Sequence, residues 1–98
     1  MGEKETVSRL LQKGRARIAA GWTQGMATRR VGDKIHYCAV GALPAKREIV
    51  AVRKAAYECL LKALPPGYAN ITTYNDEWGR RKEEILALYD RALTEVTK

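Results

Sequence analysis

The chain is 98 residues long, 46% apolar and 30% charged, with a formal net charge of +7. That composition excludes a disordered segment and fits a single soluble domain spanning residues 1–98 with room for only one core. No apolar run approaches the roughly 20 residues needed to span a bilayer, and no cationic leader with an apolar centre opens the chain, so the expected compartment is the cytoplasm, with no membrane partner.

In chain order, the first element is an amphipathic helix from about Lys4 to Ala20. Val7, Leu10, Leu11 and Ile18 recur at helical spacing, Gly14 is a weak point, and Arg9, Lys13, Arg15 and Arg17 lie on the other faces. Gly21 is read as its left-handed cap. A hairpin follows, ATRRV and KIHYC flanking a Gly32-Asp33 turn. With the turn centred there, Arg30 faces Ile35, Arg29 faces His36, Thr28 faces Tyr37 and Ala27 faces Cys38. His36 and Cys38 then share one face of a ribbon that must lean on a helix to be stable.

The next helix is expected to start near Pro44, with Pro in its first turn, and to run to about Leu64. Its buried stripe is Ile49, Val52, Ala56, Cys59, Leu60, Ala63 and Leu64, with Lys46, Arg47, Arg53 and Lys54 outside, and Pro65-Pro66-Gly67 stops it. Tyr68 to Tyr74 reads as an extended connection. Asn75 or Asp76 caps a last helix with Glu77 in its first turn and a stripe of Trp78, Ile85, Leu88, Tyr89, Ala92 and Val96. The expected fold class is α+β: three helices packed with a short hairpin.

Cationic charge is concentrated in one half. Residues 1–54 carry 12 Lys/Arg against 4 Asp/Glu, and residues 55–98 carry 6 against 7. A basic half suits an anionic partner, although a net charge of about 2 to 8 also serves solubility alone. Arg29, Arg30 and Lys34 at the hairpin tip, with Arg15 and Arg17 on the first helix, are the candidate binding residues for nucleic acid, since phosphate contacts need only accessible cations. No helix-turn-helix, zinc-finger or RNA-recognition signature accompanies them.

Catalytic readings are weaker. Cys38 at a helix start would have a lowered pKa, and His36 on the same strand face could act as base, oriented by Asn75 or Asp76. Strand neighbours two apart are roughly 6 to 7 Å apart at their roots, however, and HYCAVG matches no protease pattern. Free cysteine is also commonly a small core hydrophobe. One histidine and two distant cysteines give no metal site; Gly21, Gly25 and Gly32 form no phosphate loop; no cofactor is implied. Cys38 and Cys59 read as free thiols. Trp22 and Trp78 read as core anchors whose indole N–H groups seek Gln24 or Asn75, with an exposed stacking platform as the alternative.

Three short stretches, GWTQG, YCAVGAL and YNDEWGRRKEEILALYDRAL, resemble a family of small uncharacterised proteins of bacteria and their phages. The family pattern falls on Trp22, Gln24 and Gly25; on Cys38, Ala39, Gly41 and Ala42; and on Asn75 and Asp76, with Tyr74 where the family usually has Trp. The resemblance covers nearly the whole chain. It implies no reaction, and a histidine two before the cysteine is not part of it. It does imply that the three motifs meet in a structural centre. The expected function is a non-enzymatic accessory protein, encoded by a phage or mobile element, that binds nucleic acid or a host nucleic-acid-handling or defence complex. A thiol-dependent hydrolase or transferase using Cys38 is the alternative. Oligomeric state is not legible.

Overall fold

The computed structural model describes residues 6–96. Its elements are α1 (Val7–Ala20), β1 (Thr28–Val31), β2 (Lys34–Tyr37), α2 (Val50–Ala63), α3 (Ile71–Asp76) and α4 (Lys82–Val96). This is an α+β arrangement, with three long helices, one short helix and a two-stranded antiparallel ribbon.

α1 begins where the Thr6 hydroxyl accepts the Arg9 amide N–H at 3.1 Å, satisfying one of the unpaired donors at a helix start. The expected start near Lys4 lies outside the described residues. Leu10, Leu11 and Ile18 are fully buried, as their spacing predicts. Gly21 is not a left-handed cap: its φ of −178° is extended, and its N–H closes the helix onto the carbonyls of Arg17 and Ile18. A small residue is needed there because a Cβ would lie 2.6 Å from the His36 ring.

The ribbon has the expected register, Thr28 to Tyr37, Arg29 to His36, Arg30 to Ile35 and Val31 to Lys34. Gly32 carries a φ of +65° and Asp33 does not share the sign, the pattern of a type II′ turn. The pairing extends one residue further, since the Cys38 amide donates to the Ala27 carbonyl. The other edge of β2 is also occupied: Tyr37 N–H donates to Gly21 O at 2.9 Å and Thr23 N–H to Tyr37 O at 3.0 Å. Those bonds, with α1 packed beside β2, stabilise a ribbon too small to stand alone.

Three expectations need correction. Pro44 does not open a helix. Residues 39–43 close a single turn, Ala42 N–H to Cys38 O, and the chain is extended at Lys46 before a 3-10 turn at Arg47–Ile49 leads into α2. The stretch before Tyr74 is not extended throughout. Asn70 accepts the Thr73 amide at 2.6 Å and starts α3, which places Ile71, Tyr74 and Asn75 on one buried face despite two threonines of modest helix propensity. Asn75 and Asp76 therefore end α3 rather than cap the last helix. α4 starts at Lys82, where Glu84 reaches back to accept the Arg81 amide at 2.8 Å, half of a capping box. Trp78 consequently lies outside α4 and outside the core, 96% exposed.

The core is shared by α1, α2 and α4 with the loop at 39–43 and α3: Leu10, Leu11, Ile18, Leu43, Leu60, Ile71, Ile85, Leu88 and Tyr89 are its largest fully buried apolar members. At the crossing of α1 and α4 the Tyr89 ring occupies the space beside Gly14, where a Cβ would meet ring atoms at 2.7 Å. Arg15 forks onto Asp90 at 2.6 and 3.1 Å across the same crossing. Lys82 and Arg91 of α4 donate to the carbonyls of Ala19 and Ala63, unpaired acceptors in the last turns of α1 and α2. Among the described residues no helix is long and apolar enough to cross a membrane.

Candidate functional site

The segments quoted above from positions 22–25, 38–42 and 74–76 meet around one side chain. Asn75 is fully buried, at the C-terminal end of α3. Its Oδ1 accepts the Trp22 indole N–H at 2.8 Å and the Ala39 amide at 2.9 Å; its Nδ2 donates to the Thr23 carbonyl at 3.1 Å and to Asp76 Oδ1 at 2.8 Å. An amide side chain has two acceptor lone pairs and two donor hydrogens, so its capacity is filled. The backbone carbonyl of Asn75 accepts from Gln24 Nε2 at 2.9 Å, and Gln24 reaches the Glu77 carbonyl as well, at 3.0 Å. Asp76 Oδ1 also takes the Gly25 amide at 3.0 Å, and Gly25, at φ +83°, is in the backbone region that favours glycine.

Cys38 sits at the edge of this centre, 5% exposed. Its sulfur accepts the Gly41 amide at 3.3 Å, and a Cβ on Gly41 would collide with the Ala27 carbonyl. Small residues after the cysteine thus let the 39–42 turn press onto the root of the ribbon. The tyrosine hydroxyl of Tyr89, which burial pushes well above its ordinary pKa, stays protonated and donates to the Ala39 carbonyl at 2.6 Å.

Among the described residues no hydrogen bond joins His36 and Cys38. The imidazole packs on Gly21, with Nδ1 3.3 Å from the Trp22 carbonyl oxygen. A carbonyl only accepts, so that bond places the ring proton on Nδ1. Cys38 is also not at the start of a true helix, since residues 39–42 make one turn and no more. A shallow pocket of about 170 Å³ touches Cys38, Gly25 and Asp76, but Asp76 Oδ1 is already bound by two donors and the thiol by one. Among the described residues no group of three His, Cys, Asp or Glu side chains is placed to hold a metal.

The chain belongs to the DUF6197 family. The family model, described as a family of unknown function, matches residues 2–95. Neither the curated proteins nor the solved structures give a significant match. In this DUF6197 chain the Asn75 centre is therefore described by its geometry alone, and that geometry is a structural clamp joining α3, the ribbon and the 39–43 turn.

The five cations singled out from the sequence divide into two kinds. Arg29, Arg30 and Lys34 are exposed on the ribbon, and none has a hydrogen-bond or ion-pair partner among the described residues. Arg15 is engaged by Asp90, and Arg17 stacks 5.1 Å over the Tyr37 ring while donating to the Ala42 carbonyl at 3.3 Å. The sequence reading missed Arg80, whose guanidinium lies 3.8 Å over Tyr74, bonds the Tyr68 hydroxyl and the Tyr74 carbonyl at 2.8 Å each, and pairs with Glu84 at 3.2 Å. It also missed Arg53, expected on the outer, solvated side of its helix but half-buried against the 39–43 turn. The Arg80–Glu84 pair has helical i,i+4 spacing, but no local spacing signals the contacts of Arg80 with Tyr68 and Tyr74 or of Arg53 with Val40 and Leu43, which lie on separately folded segments.

Proposed function

We propose that this DUF6197 chain is a non-enzymatic accessory protein of a phage or mobile element that binds nucleic acid through the β1–β2 ribbon. One observation carries the reading: Arg29, Arg30 and Lys34 are all exposed on the ribbon, Arg29 and Lys34 on one face and Arg30 on the other, and among the described residues no acidic side chain engages them. Unpaired cations on a narrow ribbon suit phosphate contacts, and a β-ribbon fits a major groove. The chemistry-bearing motif side chains, by contrast, are used up inside the fold. Resemblance to small proteins of bacteria and phages supports the accessory role.

Fluorescence anisotropy with a labelled oligonucleotide across a salt series tests this. Three phosphate contacts give a log-log salt slope of roughly −2 to −3, and the Arg29→Glu, Arg30→Glu, Lys34→Glu triple variant should lose binding. Wild-type affinity in the triple variant would end the reading.

A second reading, capture of a host nucleic-acid-handling or defence complex, is favoured by Trp78. A 96% exposed indole is the residue type that anchors protein interfaces. It predicts a complex isolated from host lysate that survives moderate salt and is lost with Trp78→Ala.

A further inference from the structure

Lys46, Arg47, Arg53 and Lys54, read from the sequence as solvated, do not point in unrelated directions. With Val50 and Tyr57 they line one groove of about 550 Å³ along the outer side of α2 and the turn before it. That volume lies in the range of small-molecule sites, about 300–1,000 Å³. No carboxylate lines it, and Lys46, Arg47 and Lys54 have no hydrogen-bond or ion-pair partner among the described residues. Four like charges on one concavity repel one another, and an anion placed among them removes that repulsion.

Arg53 is set for such a ligand. Its Nε donates to the Leu43 carbonyl at 3.4 Å and its Nη2 to the Val40 carbonyl at 3.2 Å, which fixes the plane of the guanidinium at the groove wall. Its Nη1 has no acceptor among the described residues. A guanidinium held this way has already lost its rotamer freedom, so an incoming anion does not bear that entropic cost. The groove is not uniformly polar: Val50 is 64% exposed and Tyr57 half-buried, both on the wall shared with the cations. Val50, Arg53, Lys54 and Tyr57 follow one another at helical spacing, so apolar and aromatic surface alternates with charge along the groove, which matches a phosphorylated ligand with a flat body.

We propose that this groove binds a phosphorylated ligand of mononucleotide size, its phosphates on Arg47, Arg53, Lys54 and Lys46 and its flat body over Val50 and Tyr57. Such a ligand is either a free mononucleotide or one nucleotide within a strand. The site shares no residue with the ribbon and stands or falls separately from it.

Amide-resolved NMR titration of the full chain tests it, with ADP, pyrophosphate, adenosine and an oligonucleotide of about 12 nucleotides as probes. ADP should shift the amides of residues 45–57, bind at least about tenfold more tightly than pyrophosphate, and leave adenosine without effect. The Lys46→Glu, Lys54→Glu variant changes only exposed side chains, so it keeps the fold, and should weaken ADP by about tenfold or more. The Arg29→Glu, Arg30→Glu variant should leave ADP binding unchanged. If the oligonucleotide also shifts residues 45–57, the site takes a nucleotide within a strand; if it shifts only the ribbon while ADP shifts the groove, the site takes a free mononucleotide. The proposal is overturned if neither ADP nor the oligonucleotide shifts the groove, if pyrophosphate binds as tightly as ADP, or if the ribbon variant weakens ADP as much as the groove variant does.

Discussion

Trp22 and Asn75, 53 residues apart, are joined by an indole N–H donated to a buried amide oxygen at 2.8 Å. The bond ties the start of the ribbon to the end of α3. The same oxygen holds the Ala39 amide, so one side chain fixes three segments. Asn75→Ala would leave the Trp22 and Ala39 donors and the Thr23 carbonyl unpaired in the interior, at a cost of about 3 kcal/mol or more. Asn75→Asp keeps the shape but turns an acceptor toward the Thr23 carbonyl and Asp76. Its destabilisation, followed by urea unfolding, should shrink as pH falls and the new carboxyl becomes protonated. A loss independent of pH would mean that Nδ2 is not a working donor.

The two tryptophans should behave oppositely. Trp78→Ala removes a side chain that is 96% exposed and should change stability by no more than about 0.5 kcal/mol. Trp22→Phe removes the indole donor from Asn75 and should cost about 1–3 kcal/mol. Equal melting temperatures for both variants would contradict the clamp.

Gly14→Ala is a case where local propensity and packing disagree. Propensity alone favours Ala inside a helix by about 1 kcal/mol. The added methyl, however, would lie 2.7 Å from a Tyr89 ring that is fully buried and pinned through its hydroxyl to Ala39. The variant should therefore be less stable than the wild type, by about 1–3 kcal/mol. A stabilised variant would show that α1 and α4 separate easily.

Thiol reactivity separates the structural reading of Cys38 from a catalytic one. Cys38 is buried, and burial pushes the Cys59 thiol above its ordinary pKa. Iodoacetamide should label the native protein slowly at neutral pH and both cysteines rapidly in denaturant. Fast native labelling of Cys38 that His36→Ala suppresses would restore the thiol-enzyme hypothesis.

The Glu84 carboxyl is held below the usual carboxylate range, first by the Arg81 amide and then by the nearby Arg80 guanidinium. A depressed folded pKa makes this a contribution present above the unfolded value of about 4.3 and lost as pH falls through the lower folded value. Glu84→Gln should remove that part of the acid sensitivity. The unfolding midpoints of variant and wild type should converge on acidification; midpoints that stay parallel down to low pH would refute the assignment.

The ribbon register, the buried stripes of α1 and α4 and the division of charge were legible in the sequence alone. Each rests on a local rule: period two around a Gly-Asp turn, period 3.6 along a helix, or a count of charges. The meeting of the 22–25, 38–42 and 74–76 stretches was legible as a resemblance, but the role of Asn75 was not. A cap and a helix end look alike in the sequence, and only burial of Ile71, Tyr74 and Asn75 together favours α3 over an extended stretch. Trp78 fits the phase of the α4 stripe, yet α4 begins four residues later, after a turn in which Gly79 has a φ of +84°. Tertiary structure alone decided which cations remain available. Asp90, Tyr37 and the 39–43 carbonyls take up Arg15, Arg17 and Arg53, leaving the ribbon tip and one edge of the α2 groove exposed. Those partners lie 10 to 75 residues away in the chain, at separations that no periodicity encodes.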